Sequence, residues 1–108
     1  MSHPDALALI HAEALGESGL VVDARMGRDL DPARVARLAS AIRVVADDLR
    51  GTASLGRELA ASLHILGFAV SREAENWASR THKLPKAVFD SLIDLESAVQ
   101  DFFFDISR

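Results

Sequence analysis

The chain has no cysteine and no tyrosine, one tryptophan and three prolines in 108 residues. Without cysteine there is no disulfide scaffold, no thiolate metal site and no thiol nucleophile. Long apolar runs are missing too. The longest stretch free of Asp, Glu, Lys and Arg runs from Leu59 to Ser71, short of the roughly 20 residues that span a bilayer. The start, Met1-Ser2-His3-Pro4-Asp5, has no basic segment leading into an apolar one, so no secretory signal is read and a cytoplasmic location is expected. Segments that look like β-strands are scarce as well. Leu20-Val21-Val22 could form a short one, but no partner strand is visible.

What is present is apolar and helical in pattern. Apolar residues make up 49% of the chain and charged residues 26%, a balance that opposes wholesale disorder. The length fits a single domain, residues 1–108, with a modest core. The net charge of −4 is unevenly spread. Between Arg25 and Arg57, seven arginines face four aspartates, while the last segment is acidic through Asp90, Asp94, Glu96, Asp101 and Asp105. Such a split suits complementarity within or between chains better than a nucleic-acid footprint.

Proline and glycine divide the sequence into helices. The first is expected near Pro4, carrying Leu7, Ile10, His11 and Ala14, and ending at Gly16. A long loop is expected at about 16–31, packing apolar side chains over the bundle. The second helix has Asp31 as N-cap, Pro32 in the first turn and Gly51 beyond its end. Its Val35, Leu38, Ile42, Val45 and Leu49 lie within about 60° of one face. From Thr52 to about His82, Leu55, Leu59, Leu63, Leu66, Val70 and Trp77 would line one long helix. That places Glu73 within the apolar stripe, so a kink or break near Gly67 to Ser71 is expected, with Ser71 as a new N-cap.

The last helix starts at Pro85 and is long and widely apolar. Val88, Leu92, Leu95, Val99, Phe102, Phe103 and Ile106 form its main stripe. Phe89, Ile93, Gln100 and Phe104 form a second row, and the aspartates take the opposite side. Together the apolar rows cover roughly 180°, against about 100° for an ordinary surface helix. Either this helix is central in the bundle, or Phe89, Ile93 and Phe104, together with Trp77, meet another chain.

Chemistry-bearing motifs are few. The aspartates of the last helix diverge along it instead of converging on a cation, and no calcium-loop pattern occurs. His3, His11, His64 and His82 lack ligand spacing, so no metal and no cofactor are expected. No Gly-x-Ser-x-Gly, Ser-x-x-Lys or phosphate loop is present. Gly51-Thr52-Ala53-Ser54-Leu55-Gly56, flanked by Arg50 and Arg57, lacks the lysine of a phosphate loop and reads as a turn between helices. Residues 66–73 resemble the turn of a helix-turn-helix, but the serine follows the glycine by four residues instead of two. Glu73 and Glu75 would meet phosphates there.

The expectation is an all-α chain, an antiparallel bundle of four or five helices. The function expected first is a small non-enzymatic interaction module, an adaptor, regulator or inhibitor acting as a homodimer. One alternative is a DNA-binding regulator with a divergent helix-turn-helix near residues 59–80, using Arg34, Arg37, Arg43 and Arg72. A second is a small-ligand-binding bundle or enzyme, with room only under the 16–31 loop or inside the bundle.

Overall fold

The computed structural model describes residues 1–50, 55–80 and 84–106, with the side chains of 77, 79, 80, 105 and 106 outside that description. All regular structure in the described residues is helical. Helix α1 spans His3–Leu15, and the hydroxyl of its N-cap Ser2 accepts from the Asp5 N–H at 3.2 Å. Helix α2 is a six-residue element, Leu20–Arg25. Helix α3, Pro32–Asp48, starts as the sequence predicts: the Asp31 carboxylate accepts from the Ala33 N–H at 3.0 Å. That bond satisfies one of the amides a helix start leaves unpaired. Helix α4 spans Arg57–Arg80 and α5 spans Lys86–Ile106.

The four long helices pack in a ring, α1 on α3, α3 on α5, α5 on α4 and α4 on α1, with α2 laid mainly on α4. Consecutive helices α3 and α4 make at most a marginal contact among the described residues. Two side-chain contacts join opposite ends of α1 and α3, the His3–Asp48 hydrogen bond at 2.8 Å and the Arg34–Glu13 ion pair at 2.6 Å. These helices therefore run antiparallel. The fold is elongated, 44 × 25 × 22 Å. The 24 residues of α4 account for much of its length, at about 1.5 Å per helical residue.

The core is aliphatic. Ile10, Leu20, Leu38, Ile42, Leu63, Leu66 and Leu95 are fully buried, with Phe102 the largest side chain among them. No helix of the described residues is long and apolar enough to cross a membrane.

Three expectations need revision. The segment expected as loop contains α2, because Leu20, Val21 and Ala24 all find burial there. Six residues are too few for a helical period to show in sequence.

Helix α4 runs unbroken through Gly67–Ser71. Gly67 is needed for closeness, not for a break: a Cβ there would lie 2.8 Å from Val99 Cγ1 on α5. Ser71 is a buried residue of mid-helix, not a cap, and its hydroxyl has no hydrogen-bond partner.

Phe103, assigned to the inner stripe, is 38% exposed, and only Phe102 of the triplet is buried. Successive residues step about 100° round a helix, so Phe103 falls at the edge of the buried arc. The anticipated Gly51 terminus and the 51–54 turn lie outside the described residues.

Candidate functional site

Phenylalanine normally sits inside a fold. Here four of the five are exposed: Phe68 at 59%, Phe89 at 46%, Phe103 at 38% and Phe104 at 60%, joined by Ile93 at 47%. All five residues lie on α4 and α5. The Gly67–Val99 approach sets which sides of α4 and α5 meet. On α5, Val88, Leu92, Leu95, Val99 and Phe102 point inward. At 100° per residue, Phe103, Phe89, Ile93 and Phe104 follow round the helix on the flank beside α4. Phe68, next to Gly67, is exposed on the corresponding flank of α4. The aromatic residues therefore open onto one outer side of the α4–α5 pair.

Phe68 and Phe103 are among the rings ordered by local contacts. Phe68 packs against His64 with ring centroids 4.8 Å apart, and Phe103 meets Phe102 edge-on at 5.6 Å. Glu96, half-buried, is the charged interruption in the apolar row. Beyond Phe104 the helix turns acidic. Asp94 there is paired with Arg43 of α3 at 2.6 Å, and the guanidinium holds its carboxylate below the usual range. The charge surplus of the middle segment and the deficit of the last helix thus meet at one point.

Of the expected contact residues, Phe89, Ile93 and Phe104 share the exposed flank of α5. The side chain of Trp77 lies outside the described residues.

A second concentration of chemistry was not anticipated. Arg34 donates to both oxygens of Glu13 at 2.7 and 2.6 Å, to Asp23 at 2.6 Å and to the Ser18 carbonyl at 2.9 Å. Asp23 also accepts from Arg28 at 2.8 Å. Glu13 is 6% exposed, a burial tolerated because its charge is matched bidentately. Arginine in the first turn of a helix is opposed by the helix dipole, and the two carboxylates offset that. The Asp23 carboxyl is held below its ordinary range by the bonds from Arg28 and then Arg34. One signal could have shown this site: Glu13 follows Ala6 and Ile10 on the buried stripe of α1. A charge on an apolar stripe implies a partner.

A third cluster looks catalytic on paper. His11 Nδ1 lies 2.9 Å from Ser62 Oγ and 3.9 Å from a Glu58 carboxylate oxygen. Both neighbours address the same ring nitrogen. A relay needs the base to face the nucleophile with one nitrogen and its orienting carboxylate with the other. Ser62 is fully buried, so its hydroxyl meets no substrate. The cluster ties α1 to α4. Among the described residues, no group of three or more His, Asp or Glu could hold a metal ion.

For the DNA-binding alternative, Arg34 and Arg43 are engaged in ion pairs. Helix α4 is continuous where the turn of a helix-turn-helix would fall. The chain matches no protein-family model, no curated protein and no solved structure at a meaningful level of similarity.

Proposed function

We propose that this chain is a small, non-enzymatic protein-interaction module of the cytoplasm, an antiparallel bundle that works as a homodimer through the outer side of α4 and α5. The observation that carries this reading is the exposure of four of five phenylalanines on one helix pair. Contiguous exposed apolar surface marks interaction sites, and aromatic residues are enriched at interface centres. The broad apolar surface of the last helix then serves two purposes, an inner row for the core and an outer row of Phe89, Ile93 and Phe104 for the partner. Trp77 joins these contacts on sequence grounds.

A second copy is the occupant that the flanking charges favour. Exposed Arg72 lies one turn beyond Phe68 on α4, and exposed Asp101 borders the far edge of the α5 row, where Asp90 is already paired with Lys86 at 2.7 Å. A two-fold axis along the helices lays the arginine edge of one protomer over the acidic edge of the other, with apolar row against apolar row.

Light scattering at micromolar concentration tests this. The expected mass is twice the 11.7 kDa of the chain, and Phe104→Asp should return it to the monomer with its helical circular dichroism kept and a lower melting temperature that no longer depends on protein concentration. A monodisperse monomer for the unaltered chain would sink the dimer. DNA binding is the competing outcome, and it would appear as a salt-sensitive gel shift with duplex DNA.

A further inference from the structure

Residues 17–28 are fastened to the fold by two chemically different means. The apolar side of α2, Leu20, Val21 and Ala24, is buried, and the helix packs mainly on α4 and less on α1. The polar side is tied to a different element. Arg34 of α3 grips the segment at the Ser18 carbonyl and at the Asp23 carboxylate, while Glu13 anchors the same guanidinium to α1.

Within itself the segment has little to hold its shape: the Arg28–Asp23 ion pair and the amides of Gly27 and Arg28 bonded to the Ala24 and Asp23 carbonyls. Isolated helices shorter than about 12–15 residues are marginal in water, and α2 has six. Its helix therefore exists only while docked, so undocking and unwinding are one event. At its far end the backbone reverses at Gly27, whose φ of 71° is the only positive value among the described residues. A glycine in that conformation ends the helix, its own amide and that of Arg28 bonded back to the Ala24 and Asp23 carbonyls.

We propose that residues 17–28 form a strap that opens as a unit while α1 and α3–α5 stay folded, and that the Arg34–Asp23 bond is its latch. Opening uncovers the sides of α1 and α4 beneath Leu20 and Val21, a second apolar surface distinct from the outer side of α4–α5. Access to that surface is governed by an ion pair, so salt or a competing carboxylate promotes it. The proposal is independent of the dimer.

Native-state hydrogen exchange on the intact chain tests it. The probes are the Asp23 amide, bonded to the Gly19 carbonyl, and the Met26 amide, bonded to the Val22 carbonyl. Both should exchange through an opening that leaves the amides of Ile42 to Val45 in α3 protected. Asp23→Asn keeps the side-chain shape and removes the charge that holds both Arg34 and Arg28. It should speed exchange at the two strap amides by about tenfold and leave the α3 amides within about twofold. Arg28→Gln, which spares the Arg34 bond, is the control and should leave the strap amides within about twofold. Sodium chloride at high concentration should act in the same direction on the unaltered chain. Equal acceleration at strap and α3 amides would show that the segment belongs to the global folding unit, and would overturn the strap. Acceleration at neither would overturn the latch.

Discussion

The first three helices and the last two solve the same problem in opposite ways. Around α1, α2 and α3 the polar groups are turned on one another: Glu13, Asp23, Arg28 and Arg34 form one connected cluster, and His3 meets Asp48. Along α4 and α5 charged residues are as frequent, but phenylalanine reaches the surface. The first region is held by partners found within the chain. The second keeps apolar area in excess of what its own core uses. The lesson concerns where a small helical chain is complete in itself and where it is not.

The largest test of this contrast is Phe102→Ala. Phe102 is the one ring of the last helix that the core fully encloses, and its loss should cost about 3–5 kcal/mol by urea denaturation. Phe104→Asp, two residues on, should stay within about 0.5 kcal/mol when measured on the monomer. Similar losses for both would erase the distinction between inner and outer rows.

On the other side of the contrast, Arg34→Met leaves Glu13 buried without its cation and should cost about 2–4 kcal/mol. Adding Glu13→Gln should recover part of that, since the unpaired charge is then gone. A cost unchanged by the second substitution would mean that the arginine acts through packing alone.

The close approach of α4 and α5 predicts a smaller effect. Alanine normally favours a helix over glycine by about 1 kcal/mol. At Gly67 the new methyl would press on Val99, and overpacking of this kind costs about 1–3 kcal/mol. Gly67→Ala should therefore lower the melting temperature, and Val99→Ala in the same chain should relieve the crowding. A simple gain from Gly67→Ala would show that the helices have room.

The smallest effect is acidification. Asp23 and Asp94 both have folded-state pKa values lowered from about 3.8 by their arginine partners. A carboxyl depressed on folding adds stability above its unfolded value, and that stability is lost as pH falls through the lower folded value. Stability should thus be flat in these groups above about pH 5 and decline below about pH 4. Asn at both positions should flatten the decline, while an unaltered acid limb would place the responsible carboxyls elsewhere.

Much of the fold was legible in the residues. Helix α3 shows its start in Asp31-Pro32 and its buried face in Val35, Leu38, Ile42 and Val45, all of which the core encloses. Local capping and a full stripe act together there, so local and tertiary preferences agree. Gly67 reads as a break because a glycine needed for close approach and one needed for a turn look alike in sequence. Deciding between them requires knowing that Val99 lies opposite. The partners of Arg34, Glu13 and Asp23, do not show in the sequence because only the packing of α1 and α2 brings them to it. The outer row of α5 was legible from its angular position. Only burial in the fold could separate it from Phe102 and place Phe103 at the boundary.

The way α2 is fastened also bears on the order in which the chain is made. Its ionic partner, Arg34, belongs to the next helix to be synthesised, whereas its apolar partner, α4, follows only after α3 is complete. On a ribosome, domains gain structure as their segments emerge. Glu13, Asp23 and Arg34 thus all emerge before α4, so the ionic fastening of α2 needs a shorter length of chain than its apolar one.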